Sequence, residues 1–257
     1  MSLFELGLGV LKAASPDEKV RRTREAASAW GSGTLALGHA LPLPDRPARP
    51  DSPELRFPRD MPKRTKSGLK GRIAFIHAIA HIELNAIDLA WDVALRFGAE
   101  MPKAFLDDWV SVADDEARHF DLLEQRLRAL GSYYGALPAH DGLWEAAENT
   151  ADDLLARLAL VPMTLEARGL DTAPAAVTRL TANGDTETAR IMDLIAKEEI
   201  DHVAAGVRWF EREAQKRGLE AVPTYKTLLA DRFNGSLKPP FNNAARAATG
   251  MAEAYYA

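Results

Sequence analysis

The chain has 257 residues, 47% of them hydrophobic and 27% charged, with a formal charge of −5. That length allows one large domain, or one domain with extensions, around a substantial apolar core, and the acidic balance gives no global case for nucleic acid or an anionic membrane as partner. Cysteine is absent, which excludes disulfides, zinc–thiolate sites, iron–sulfur clusters and cysteine nucleophiles and leaves nitrogen and oxygen as the only metal donors.

In chain order, the N-terminal stretch is mildly apolar, lacks a basic start and carries Glu5, so it makes a poor signal peptide. Residues 2–14 read as a short helix. Ser15-Pro16-Asp17-Glu18 is a helix start, with a serine cap, proline at the first helical position and acid in the first turn. A second helix is predicted to about Trp30. Residues 41–62 hold seven of the fifteen prolines, at Pro42, Pro44, Pro47, Pro50, Pro53, Pro58 and Pro62, and predict an extended arm. Arg56 and Arg59 lead into a basic cluster of Lys63, Arg64, Lys66, Lys70 and Arg72. It reads as a solvated segment packed across a bundle, or as a contact for an anion or RNA.

From Ile73 to Gly98 apolar residues recur at spacings of three and four, with Glu83 on the same stripe as Ile76, Ile79, Ala80, Ile87 and Ala90. Gly98 and Pro102 end that helix, and a second long one runs from about Lys103 to Leu130. After a loop with Gly135, Pro138 and Gly142, helix resumes at Trp144. Thr150-Ala151-Asp152-Asp153 looks like a renewed cap, and the third long helix is predicted to end near Arg168 with Gly169 as its stop. Pro162 should kink it, either opening a cavity beside any site there or as a tolerated kink with no role. Asn183-Gly184 is a turn signal, and the fourth long helix runs from about Asp185 to Arg217, stopping at Gly218. A short helix near Tyr225–Phe233, a turn-rich stretch from Asn234 and a last helical piece close the chain. No segment reads as a strand and no apolar run approaches the roughly 20 residues of a membrane helix. The expected fold is all-α: an N-terminal helical arm with the proline-rich segment (1–70), a four-helix bundle (71–220) and a C-terminal extension (221–257) wrapped on it. A cytoplasmic location is the default.

Chemistry concentrates in two Glu-x-x-His pairs, Glu116/His119 and Glu199/His202. Residues three apart on a helix share a face and can bind one metal together. Eighteen Glu and six His placed at random would yield about 0.4 such pairs, so a single pair means little. The relation to two further glutamates is stronger: Glu83 lies 33 residues before Glu116, and Glu166 lies 33 before Glu199. The first midpoint falls in the Gly98–Pro102 break, the second beside Asn183-Gly184. Folding each half at its turn brings Glu83 level with Glu116 and Glu166 level with Glu199, roughly 24 Å from the turns. Two hairpins each supplying one lone Glu and one Glu-x-x-His make the ligand set of ferritin-like dimetal carboxylate bundles. Its mixture of imidazole and carboxylate suits two ions, most naturally iron, with manganese or a mixed Fe/Mn pair as alternatives. His77 and His81 point about 120° and 160° away from Glu83 and are expected to be packed or half-exposed rather than metal-bound. Asp88, Asp115, Glu198 and Asp201 are candidates to orient the histidines. His39 and His140 fall in loops and carry no signal.

The segments HIELNAIDLAWD, DDEARHFDLL, ARLALVPMTLEARGLD, KEEIDHVAAGVRWF and LKPPFNNAAR resemble a bacterial family of unassigned function in the ferritin-like superfamily. More distantly they are similar to diiron hydroxylases that modify tRNA, to rubrerythrins and to ferritins. The resemblance covers most of the chain from about Leu55 and matches at Glu83, Glu116, His119, Glu166, Glu199 and His202. It implies a helical bundle with a dinuclear site and supplies no substrate. On the residues themselves, the expected function is a diiron oxidoreductase that activates dioxygen or peroxide, with hydroxylation of an organic substrate as one reaction it could carry out. Glu83 and Glu166 would be terminal ligands, Glu116 and Glu199 bridges, and His119 and His202 would take one metal each. Iron handling or ferroxidase activity without an organic substrate is the alternative, as is a tRNA hydroxylase, for which the basic cluster is weak support. The expected partners are O2 and a small-molecule substrate, an unidentified electron donor, a homodimer mate, and no membrane.

Overall fold

A computed structural model describes residues 1–61, 68–233 and 235–257 of the chain. The described residues are all-α, apart from one isolated bridge between Leu55 and Ala139. Lys63, Arg64 and Lys66 of the basic cluster, Pro62 of the proline arm and Asn234 of the turn-rich tail lie outside them. The chain forms two compact units, Met1–Trp144 and Glu145–Ala257.

In the first unit α1 (Leu3–Leu11) starts at a capping box, in which Ser2 accepts from the Glu5 amide and the Glu5 carboxylate accepts from the Ser2 amide. Helix α2 (Pro16–Gly31) starts at the expected Ser15 cap with Pro16 in its first turn. After the proline arm come α3 (Gly68–Phe97), a 3-10 turn at Gly98–Glu100, and α4 (Lys103–Ala129). The last two helices pack on each other as a hairpin, and α1 and α2 cover them. Close approach of α1 to α3 requires glycine at position 7, since a Cβ there would stand 2.5 Å from Trp91 Cε3. Trp91 is fully buried and its indole N–H donates to Thr23 Oγ1 at 3.1 Å.

Helix α3 is buried on every side from Glu83 to Leu95. By length and composition the segment Gly68–Glu100 would pass for a membrane span, closer to one than the sequence reading allows, but 67% of its most apolar stretch is buried within the protein. Such a helix is what a buried core element requires. It also carries Asp88 at no exposure, and Asp88 has two cations. Lys19 Nζ from α2 lies 2.6 Å from Oδ1, and Arg49 Nη1 from the proline arm lies 2.8 Å from Oδ2. Burial pushes the Asp88 carboxyl up and the Lys19 ammonium down, each opposed by its partner. The arm that reads as extended is thus pinned to the core by one guanidinium, which also donates to Asn85 Oδ1 at 2.6 Å.

Helix α5 (Gly142–Glu148) leads into the second unit. There the expected cap shifts. Asp153, not Thr150, caps α6 (Leu154–Leu160), accepting from the Leu155 amide at 3.2 Å. The Thr150 hydroxyl instead donates to the Ala146 and Ala147 carbonyls and accepts from the buried Arg157 Nε. The third helix does not stop at Gly169 as predicted. It widens into a π-helical segment, Val161–Glu166, and continues as α7 (Ala167–Ala182), straight through Gly169. Glycine inside a helix costs only about 1 kcal/mol, and α7 buries Leu170, Ala173, Ala176 and Leu180 along one stripe. Packing therefore overrides the stop signal. Asn183 and Gly184, the latter at φ 74°, make the expected turn into α8 (Thr186–Lys216). Helix α9 (Ala221–Arg232) packs against α6, and α10 (Asn243–Ala248) is held to α7 by Arg246, which grips Asp171 with two bonds of 2.9 and 2.8 Å.

Replacing Lys19 by Met removes one of the two cations from a fully buried carboxylate and leaves nothing of comparable polarity in its place. The K19M protein should lose about 3 kcal/mol of stability, read as a lower urea midpoint, and the double change K19M/D88N should recover most of it.

Candidate metal centre

Glu83 projects from the middle of α3, and Glu116 and His119 project from α4 across the hairpin. All three are buried, Glu116 and His119 completely. His119 Nδ1 lies 3.3 Å from Glu83 Oε2 and 3.5 Å from Glu116 Oε2. One donor atom from each residue lies within 4.8 Å of the others, so this cluster can hold a metal ion. The 33-residue spacing of Glu83 and Glu116, folded at the Gly98–Glu100 turn, does bring them level, as expected. The i,i+3 spacing of Glu116 and His119 puts both on the face that α4 presents to α3.

Two carboxylates this close in the interior cannot both stay ionised cheaply. Burial and the neighbouring Glu116 carboxylate push the Glu83 carboxyl well above its ordinary range, against the pull of His119. For His119 burial acts in the opposite sense, lowering it, but the Glu116 and Glu83 carboxylates outweigh burial and push the imidazole up to about 11. Without a cation, then, these groups keep their net charge small by holding protons. A divalent ion serves the same purpose. An imidazole with two carboxylates is a donor set that iron or manganese accepts, so the residues present fit such an ion.

The second unit repeats the motif on α8. Glu199 and His202 are both buried, with His202 Nδ1 3.6 Å from Glu199 Oε2. Glu166 is half-buried and is the last residue of the π segment. That segment has a local cause and a distant one. Pro162 has no N–H for the Leu158 carbonyl, the Thr164 hydroxyl donates to Ala159 O at 2.7 Å, and the Ala167 amide reaches back five residues to Pro162 O. The proline ring seats against α8 at Gly206, where a Cβ would stand 2.5 Å from Pro162 Cβ. A π turn holds more residues than an α turn, so it rotates every side chain beyond it and resets where Glu166 points.

The other candidates divide. Asp88 is taken by Lys19 and Arg49, Asp115 is half-buried beside Arg118 at 2.5 Å, Glu198 is half-buried and Asp201 is exposed. His77 and His81 are packed, as their angular positions indicate. His77 Nε2 accepts from the Gly135 and Leu137 amides. His81 Nε2 donates to the His140 carbonyl at 3.0 Å, so its Nδ1 accepts from the Tyr134 hydroxyl at 2.8 Å. Tyr134 stacks on both rings and meets Phe120 edge-on. Neither Tyr134 nor the Asn85–Arg49 bond stands out in the sequence, because a single Tyr or Asn in a loop or helix has no periodic signature.

A family model described as "Protein of unknown function (DUF455)" matches residues 12–257. An "Uncharacterized protein" of Haemophilus influenzae is 38% identical over 258 residues, covering 95% of this chain and 88% of its own. No solved structure matches.

Two outcomes follow from the titrating groups. A divalent cation must displace protons from Glu83 and His119, so calorimetric affinity for Mn2+ should rise from about pH 6 to about pH 8, with proton release on binding. Burial pushes His81 down from 6.5 to about 4, so the folded protein keeps it neutral while the unfolded chain protonates it near 6.5. Its contribution to stability is complete above pH 6.5 and is lost as pH falls towards 4, amounting to about 3 kcal/mol at most. Urea midpoints across that window should fall less steeply for His81→Gln than for the unaltered protein.

Proposed function

We propose that this chain, which belongs to the family described as "Protein of unknown function (DUF455)", is a dinuclear metal oxidoreductase of the ferritin-like type, with iron as its metal. The observation that carries the reading is the buried Glu83, Glu116 and His119 cluster, whose Glu-x-x-His half recurs as the buried Glu199/His202 pair. In this reading Glu166, Glu199 and His202 complete the centre, and the six residues hold two ions. The chain contains no cysteine, and the four carboxylates and two imidazoles are the donors that di-iron and di-manganese bundles use.

When bound, two redox-active ions supply the electrons that reduction of dioxygen or peroxide requires. The protein's own part is distinct. Complete burial of Glu116 and His119 keeps bulk water from the donors and strengthens every charge interaction there. Burial and Glu116 raise the Glu83 carboxyl, so in the metal-free state the coupled group of Glu83, Glu116 and His119 holds protons that an arriving cation would displace. The interval of three residues between Glu116 and His119 fixes both donors on one rigid helix, so that neither depends on a loop for its position. An organic substrate, O2 and an electron donor are the partners this chemistry needs.

The test is anaerobic loading with Fe2+, followed by metal analysis and an absorbance scan before and after admitting O2. Two irons per chain, a near-ultraviolet band that grows on oxidation, and a metal-dependent gain of about 3–4 kcal/mol in stability at saturating iron are expected. His119→Ala and His202→Ala should each lower the iron content while the circular dichroism stays helical. Iron retention that is equal in both variants and in the unaltered protein would remove the proposal. Oxidation of iron that never consumes a second substrate would reduce it to metal handling.

A further inference from the structure

Within the second unit a cavity of ≈ 230 Å³ opens beside the π segment. Its apolar lining is Leu165 from the π segment and Phe233, Leu237 and Phe241 from the tail. Its polar residues are Arg168, Arg246, Lys238 and Asp171, together with Thr164 and Ser236. Three cations therefore meet one carboxylate, and that carboxylate is already committed. Asp171 is fully buried, receives both bonds of the equally buried Arg246, and also accepts from the Asn242 amide at 2.9 Å. Arg246 is thus neutralised and serves as scaffold, stacked under Phe241 with its guanidinium 5.0 Å from the ring centre.

Arg168 and Lys238 are left over. Arg168 uses only Nη1, which donates to the Lys238 and Pro240 carbonyls and lies 3.5 Å from Asp171 Oδ2. Among the described residues its Nε and Nη2 make no hydrogen bond, and the Lys238 ammonium pairs with no carboxylate. The two backbone carbonyls hold the guanidinium in place, so its remaining N–H groups form a fixed fork, the geometry that receives a carboxylate. A cavity of this volume takes about eight water-sized groups.

We infer that this cavity binds a small amphipathic organic acid, with its carboxylate on Arg168 and Lys238 and its apolar body against Leu165, Leu237 and Phe241. Nothing in the metal reading is needed for this, since the assignment concerns binding and uses none of the proposed metal donors. It does place the body of the acid against the residue that immediately precedes Glu166, on the helix that the sequence marks by Pro162.

The probe is hexanoate, titrated calorimetrically into metal-free full-length protein, with hexanamide and inorganic phosphate as controls. Hexanoate should bind, and hexanamide, lacking the charge, should bind at least about tenfold more weakly. Inorganic phosphate, lacking the apolar body, should also bind more weakly. Arg168→Gln and Lys238→Gln should each weaken hexanoate several-fold. Leu237→Trp, which fills the cavity, should abolish binding while the melting temperature and helical circular dichroism hold. Absence of hexanoate binding by the folded protein overturns the inference. So does equal affinity for hexanamide, which would make the cavity merely apolar, or equal affinity for phosphate, which would make it a plain anion site. The same protein samples, loaded with Fe2+, report on the metal centre separately, so either assignment can fail while the other stands.

Discussion

Ionisable groups in a helical interior are the constraint around which this protein is arranged. An isolated charge taken out of water costs several kcal/mol, so it has to be neutralised, paired or protonated where it sits. The α3–α4 hairpin solves this problem twice, in different ways. At Asp88 the chain brings its own permanent cations, Lys19 from α2 and Arg49 from the proline arm. At Glu83 and Glu116 it brings an imidazole, and the carboxyls and the ring share protons. The first solution is closed and structural. The second uses groups whose protons a metal ion can displace, which is why the same kind of buried acid reads as framework in one place and as a candidate centre in the other.

The irregular turn of the third helix has a comparable logic. Proline removes one hydrogen bond from any helix that contains it. Here the loss is absorbed by the six-residue π segment, by the Thr164 hydroxyl on Ala159 O, and by α8, which has glycine at 206 where the ring must fit. Thr164 is tied in turn to the Tyr225 hydroxyl at 2.8 Å, and Tyr225 is completely buried. The segment is therefore held from two sides, and its departure from α geometry is a stable feature that aims Glu166 and lines a cavity with Leu165.

Much of the architecture is legible from local chemistry. The Ser15 cap, the Gly98 break, the Asn183-Gly184 turn and the Gly218 stop all end or begin helices where the residues say they should. Gly169 misleads because a stop signal is weak against a buried stripe that continues past it. The Thr150 cap misleads because a threonine hydroxyl has several possible partners, and Arg157, seven residues on, recruits it. Membrane-like apolarity in α3 is invisible to a search for unbroken runs, since Asp88 and Asp92 interrupt the run but are paired with Lys19, Arg49 and Arg96 once folded.

By itself the sequence determined the helical class, the hairpin that levels Glu83 with Glu116 and His119, and the kind of donors any metal would meet. Those follow from periodicity and spacing, which are properties of a chain read one turn at a time. Only the tertiary structure decided that the proline helix runs on through a π turn, that the arm is anchored by Arg49 on Asp88, that His81 belongs to Tyr134, and that Arg168 keeps donors to spare beside an apolar cavity. Each of those depends on a contact between residues distant in the chain, and no local pattern encodes which distant partner a buried polar group will find.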